Sequence, residues 1–361
     1  MKIRPVYQAK TKSYADHTPQ PTADTLDCSL GVNPYGPPSQ ALEAVRAFDL
    51  AHLGDYPHSW AAHDAIIGYW ADQTKLTREN ILLVDGSVSA LYLINPLFAL
   101  PRAKVVGFAP TFTDMVVNVE MQGMTYVPVV PTREDFAEDV DALLAAMDEE
   151  TSLVYIDNPN NPTGQLLPKA DLIRVLDKAK ELQAAVLIDE AYGDFVSKEE
   201  SILSEREKYD NLLVLRTFSK GFGLAGLRAG YIITDPLLIS YMSKTTNPYC
   251  MNELTRYAAA AAMTAEGYPS AHGPDFAKIK EELRAVTGNK LTLLATDGRV
   301  PICSLRHKED VDLQALLFEE GVLTVSGAEF DAMDARCVRL RVPKGSLAGK
   351  LIEAVRRVNE G

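Results

Sequence analysis

The chain has 361 residues, 47% hydrophobic and 24% charged, a composition that excludes disordered, collagen-like and coiled-coil classes and leaves room for one large core or two moderate ones. With 49 acidic against 36 basic side chains the formal net charge is −13, so non-specific binding to a phosphate backbone would be repulsive. No nucleic-acid partner is expected, while a local cationic site for a small anion stays open. The opening residues MKIRPVYQAKTKSYADHTPQ lack the apolar run of a signal peptide, and no segment approaches the roughly 20 apolar residues of a membrane span. Cys28, Cys250, Cys303 and Cys337 lie far apart without a CxxC pair. They read as reduced thiols of a cytoplasmic protein, with neither a disulfide framework nor a zinc site.

In chain order, residues 1–30 are rich in Thr, Pro, Asp and Lys without a sustained period and read as an arm lying over other surface. The turn Asn33-Pro34-Tyr35-Gly36-Pro37-Pro38 marks its entry into the main body. From residue 81 short β-branched runs alternate with longer amphipathic ones, the pattern of crossover units that build a parallel sheet. Strands are expected at 81–84, 104–108, 125–129, 153–156, 185–189, 212–216 and 229–233, and helices at 88–99, 112–121, 140–147 and 169–182, the last opened by Pro168. Residues 257–263, YAAAAAM, read as a tightly packed interior helix. Beyond them come strand-like runs at 300–305, 322–325 and 338–342 and helices at 313–319 and 347–358. The expected fold is α/β: a large doubly wound, mostly parallel seven-stranded sheet domain over residues 31–246 and a smaller α+β domain over 247–361, preceded by the arm at 1–30.

The chemistry concentrates where expected strands end. The stretch LVLRTFSKGFGLAGLRAGY, residues 213–231, runs from a strand into a loop with Ser219, Lys220, several glycines and Arg228. Gly221 to Gly226 spells GxGxxG, but a dinucleotide site also needs an acidic residue about 20 positions on, and the region of Thr245 and Thr246 has none. A lysine among small residues, beside a hydroxyl and an arginine, suits an amine that forms a Schiff base with a carbonyl cofactor whose phosphate needs a counter-charge. In AVLIDEAY, residues 185–192, an apolar strand ends in Asp189, and an acid there can keep a pyridinium nitrogen protonated. Tyr192 can offer its phenol to a ring oxygen. In DNPNNPTG, residues 157–164, Asn161 can donate its amide to the same oxygen. Asp85-Gly86-Ser87-Val88-Ser89 opens a helix whose free N–H groups, with the Ser87 and Ser89 hydroxyls, suit an anion. Phe112, after another strand end, can stack on a flat ring. Taken singly, each of these also fits a simple cap, turn or core residue.

Together the residues resemble a fold-type I pyridoxal-phosphate enzyme of the aspartate aminotransferase superfamily, most of all its histidinol-phosphate aminotransferase-like branch. The resemblance rests on VNPYGPP at 32–38, DYP at 55–57, NPNNPTG at 158–164, LIDEAY at 187–192, RTFSKGFGLAGLRAGY at 216–231 and VRLRVP at 338–343, in the family's order. It implies that pyridoxal 5′-phosphate is held by Lys220 in a Schiff base, that Asp189 pairs with the pyridine nitrogen, and that Asn161 and Tyr192 meet the ring oxygen. It further implies that Phe112 stacks on the ring, that Ser87, Val88 through its backbone, Ser89, Ser219 and Arg228 hold the phosphate, and that Tyr56 reaches that phosphate from the partner of a homodimer. Arg339, with Asn161 and Asn33, is implied for the substrate, the guanidinium taking the α-carboxylate.

The chain departs from that branch in two places. Val88 and Ser89 replace the Asp-Glu pair that often follows the Gly-Ser turn. Leu323-Thr324-Val325-Ser326 stand where histidinol-phosphate aminotransferases carry a second arginine for the substrate phosphate. The expected activity is therefore transamination between an L-amino acid and a 2-oxo acid, without specificity for histidinol phosphate. Decarboxylation, racemisation or β-elimination on the same cofactor is the alternative, since sequence does not fix which substrate bond stands perpendicular to the ring.

Overall fold

The computed structural model describes Met1, Ile3, Arg4, Val6 and residues 19–361; the greater part of the expected arm lies outside the described residues. Strand β1 (Leu26–Asp27) is followed by β2 (Ile81–Val84), β3 (Lys104–Phe108), β4 (Thr125–Val129), β5 (Thr151–Asp157), β6 (Ala185–Asp189), β7 (Leu212–Thr217) and β8 (Gly230–Ile233). Strands β2 to β8 form one sheet in the order β2-β8-β7-β6-β5-β3-β4, in which β8 runs antiparallel to both neighbours and the other pairs are parallel. Every residue of β6 and β7 is buried, as the continuous apolar runs require of strands covered on both faces. Alternation along the strands sends Leu153, Tyr155, Leu187, Leu213 and Leu215 into one apolar cluster and Val154, Ile156, Ile188 and Val214 into the other. Each fully buried Leu, Ile or Val contributes roughly 1.5–3 kcal/mol relative to exposure, so the sheet is a rigid base for whatever its edge carries.

The remaining strands are β9 (Leu291–Leu293), β10 (Ile302–His307), β11 (Val322–Leu323), β12 (Val325–Ser326) and β13 (Cys337–Arg341). A second, antiparallel sheet has the order β12-β13-β10-β9, while β1 pairs in parallel with β11. The single strand expected at 322–325 thus breaks at Thr324, because β11 serves β1 and β12 serves β13. The described end of the arm is no loose cover, since Leu26 and Cys28 enter the core that surrounds the second sheet. That core also takes Tyr192 and Phe195 from the loop after β6, so the two sheets are joined by packing beside the strand end that carries Asp189.

The alanine-rich run forms the helix Glu253–Met263, with Ala258, Ala259 and Ala262 fully buried. Small side chains let it lie close against the helices Ser39–Arg46 and Ala61–Tyr69, in the same cluster as the large sheet. Packing therefore groups residues as far as Met263 with the large sheet, beyond the expected boundary at residue 246.

Candidate active site

Parallel strands align their carboxyl ends, so the segments that follow β2, β3, β5, β6 and β7 emerge along one edge of the sheet, joined there by Arg228 just ahead of the antiparallel β8. The motifs that carry Ser87, Phe112, Asn161, Asp189, Tyr192 and Lys220 lie on or at the start of those segments. They enclose a cavity of about 220 Å³ whose lining includes Asp157 and Pro159 of the Asn-Pro turn and Ala191 of the loop after β6. The expected residues Ser87, Val88, Phe112, Asn161, Asp189, Tyr192, Ser219, Lys220 and Arg228 all line it too, and so come together from regions up to 141 positions apart in the chain, Ser87 to Arg228.

At the floor, register pairs Asp157 with Asp189 on adjacent strands. Asp189 accepts from the Ala191 N–H at 3.0 Å and from the Tyr155 hydroxyl at 3.1 Å. Burial, reinforced by the Asp157 carboxylate, nevertheless pushes its pKa up to about 7. Asp157 takes 2.7 Å, 3.0 Å and 2.9 Å hydrogen bonds from Thr111 Oγ1, Asn160 Nδ2 and the Asn161 N–H, and burial still raises it to about 6. These three bonds lock the 158–161 turn and aim Asn161. Tyr155 and Asp157 were not singled out from sequence. One is a strand-interior aromatic and the other opens a turn motif, and only the register brings both beside Asp189.

Lys220 Nζ lies 5.5 Å from the centre of the Tyr192 ring. The Tyr192 hydroxyl is buried and has no hydrogen-bond partner among the described residues, and burial pushes its pKa up to about 12. A Cβ at Gly31 would stand 2.0 Å from that hydroxyl and 3.6 Å from Arg339 Nη1, so a side chain there would displace the phenol. At the other end, Gly86 has φ +98° and caps the helix Ser87–Ile94. A Cβ there would fall 2.2 Å from Arg228 Nη2. Arg228 donates to Asp85 O at 3.3 Å, Ala225 O at 3.1 Å and Ser219 Oγ at 3.4 Å, which sets its guanidinium beside the helix N-terminus. Helix N–H groups, a hydroxyl and a guanidinium then line the same cavity, a set of donors suited to a phosphate.

Four expected residues do not line the cavity. Ser89 is half-buried two positions along the helix from Ser87, and the helical turn carries it to another face. Asn33 is buried but its amide is consumed by backbone: Nδ2 donates to Gly221 O at 2.8 Å and Oδ1 accepts from the Tyr35 N–H at 2.9 Å. Its place is under the lysine loop rather than in the cavity. Tyr56 is 67% exposed, with its ring stacked 4.4 Å from that of Tyr249. Arg339 is buried behind Asn161, donating from Nη1 to Asn161 Oδ1 at 3.3 Å and from Nη2 to Ser29 O. Its neighbour Arg341 points elsewhere, to Asp27 O.

A mixed sheet with one antiparallel strand has a second antiparallel sheet packed beside it, and Lys220 lines the cavity at the carboxyl edge of the first. The chain belongs to the aminotransferase class I and II family, whose sequence model matches residues 24–358. It is similar to the histidinol-phosphate aminotransferase of Bacillus subtilis strain 168, with 30% identity over 298 residues, 82% of this chain and 81% of that protein. It is also similar to the aromatic amino acid aminotransferase of Rhodococcus jostii RHA1, with 34% identity over 232 residues, 64% of this chain and 63% of that protein. The solved structure of the histidinol-phosphate aminotransferase from Clostridium acetobutylicum has the same fold, with a TM-score of 0.82 at 24% identity over 93% of this chain and 99% of that one.

Proposed function

We propose that this aminotransferase uses pyridoxal 5′-phosphate, held in the 220 Å³ cavity, to move the amino group of an L-amino acid to a 2-oxo acid in a ping-pong cycle. The observation that carries the reading is the convergence of Lys220, Asp189, Tyr192 and Arg228 on one cavity from the strand ends. Two features fit the cofactor. The buried Tyr192 hydroxyl has no partner among the described residues and a ring oxygen would supply one, and the Ser87 helix start with Ser219 and Arg228 offers donors for a phosphate. When bound, the cofactor supplies an electron sink for the substrate α-carbon.

In this reading Lys220 would hold the cofactor's carbonyl carbon and carry the proton of the transfer on Nζ. Asp189, ionised once a cationic ring nitrogen faces it, would keep that nitrogen protonated. Asn161 and Tyr192 would meet the ring oxygen and Phe112 one face of the ring. Arg339 would take the substrate carboxylate through a bidentate fork after yielding its bond to Asn161. Residues 31–246, with the helix Glu253–Met263 packed against them, and the remainder of 247–361 would act as the two parts that enclose the substrate. Exposed Leu50, Leu53, Tyr56 and Trp60 support a second copy of the chain as the partner, with Tyr56 reaching its phosphate site. We place the enzyme in the cytoplasm on its unpaired cysteines.

The B. subtilis relative is named for histidinol phosphate, but the strand beside Arg339 here offers no cation: Val325 pairs with Arg339, and Leu323, Thr324 and Val325 are buried. A dianionic phosphate would lose its charge-assisted bonds at that point, so the proposed donor is an amino acid without one. The test is a panel of amino donors added singly to cofactor-loaded protein. A transaminase loses its visible band in proportion to one equivalent of 2-oxo acid formed, and histidinol phosphate should be a poor donor. Catalytic release of carbon dioxide would overturn the reaction, and a visible band that survives Lys220→Ala would overturn the site.

A further inference from the structure

Beneath the cavity lies a group of charges that the proposed chemistry does not use. Arg216, at the end of β7 and 2% exposed, places Nη2 at 2.6 Å from Glu190 Oε2 and Nη1 at 2.8 Å from Asp194 Oδ1. Both acids are buried on the loop that leaves β6, immediately after Asp189 and on either side of Tyr192. Glu190 also accepts from Ser201 Oγ at 2.7 Å and the Ile202 N–H at 3.0 Å. The Trp70 ring lies 4.6 Å from the guanidinium, and Trp70 Nε1 donates to the Tyr231 hydroxyl at 3.1 Å. Such a cluster is costly to bury and is often no better than apolar packing, so it needs a reason in position rather than in stability.

The geometry supplies one. A Cβ at Gly221 would stand 2.4 Å from Asp194 Cβ, and one at Gly193 would stand 3.0 Å from Arg216 Cζ. The peptide that follows Lys220 therefore rests directly on Asp194. On its other side Asn33 closes the clamp, its N–H donating to Lys220 O at 3.1 Å and its Nδ2 to Gly221 O at 2.8 Å. One guanidinium thus ties the loop that follows Asp189 and bears Tyr192 to the strand end that leads into the Lys220 loop.

We propose that Arg216 is a positioning residue, which by bridging Glu190 and Asp194 sets the spacing between Lys220 and the Asp189–Tyr192 loop. The inference rests on the cofactor reading above. Its test is a pH titration of the visible band of pyridoxal-phosphate-loaded protein, with cofactor affinity, turnover and unfolding measured on the same variants. Arg216→Lys keeps a buried cation and the fold but cannot bridge two carboxylates with a planar fork. We expect its band midpoint to move by about one pH unit and its turnover to fall by up to about 10²-fold, the cost of a displacement near 1 Å. Arg216→Met should shift the midpoint at least as far where it folds. Asp194→Asn retains both the Cβ against Gly221 and an oxygen for Arg216, and should keep the wild-type midpoint. A wild-type midpoint in Arg216→Lys overturns the proposal, as does an Asp194→Asn shift equal to that of Arg216→Lys, which would mean that charge acts rather than position. A wild-type protein with no visible band at all sinks the cofactor reading instead, so the two failures are distinct.

Discussion

Replacing Asp189 by Asn should stabilise the cofactor-free protein, and should do so only at higher pH. Burial, with the Asp157 carboxylate second, raises Asp189 to about 7 from an ordinary 3.8. A carboxyl raised on folding binds its proton more tightly in the native state, so its contribution to stability is fully present below pH 3.8 and is lost as pH rises to about 7. At about 1.4 kcal/mol per pH unit the ceiling is about 4 kcal/mol, and water entering the cavity lowers it to about 1–3 kcal/mol. The amide introduced by Asp189→Asn would resemble the protonated acid and keep an acceptor for the Ala191 N–H. Asp157 is present in both proteins and largely cancels. Urea denaturation of cofactor-free wild type and Asp189→Asn at pH 4.5 and pH 8 is the assay. The gap should be small at pH 4.5 and widen in favour of Asp189→Asn at pH 8. A gap that stays constant, or reverses, refutes the argument that the site holds a strained carboxyl in wait for a cationic partner.

Three further substitutions probe the remaining parts of the site. Gly86→Ala combines a left-handed φ with a Cβ 2.2 Å from Arg228 Nη2. Strain of about 1–3 kcal/mol should displace the guanidinium and weaken cofactor binding by about 10–100-fold in calorimetric titration, with the fold intact. Tyr192→Phe removes a buried hydroxyl without a partner among the described residues. The cofactor-free protein should gain about 1–2 kcal/mol in thermal unfolding, a gain that should be absent from the loaded protein, where the proposed ring oxygen would partner the hydroxyl. Arg339→Lys loses the fork, and kcat/KM for the amino donor should fall about 10–100-fold, mainly through KM, with the cofactor's absorbance unchanged.

The large sheet was legible in the sequence because strands buried on both faces must be continuous apolar runs, and β2, β3, β4 and β6 fall on the residues that pattern marks. The lysine loop, the Asp-Glu strand end and the Asn-Pro turn, which the structure brings to one cavity, were legible as candidates because their functional groups sit in contiguous motifs. The strands β1 and β9 were not, since two or three residues are too few to show a period. Nor was the break at Thr324, which follows from two partners competing for one run. Asn33 shows the limit most clearly: its motif is plain, but whether its amide faces a substrate or the Gly221 carbonyl depends on a loop 188 positions away. The same holds for Tyr155 against Asp189 and for Arg216 between Glu190 and Asp194. Local sequence determined which groups can do chemistry and which runs must be buried. Tertiary structure alone decided which of them touch, because strand register and the packing of one loop on another are set by contacts between segments that the chain order keeps apart.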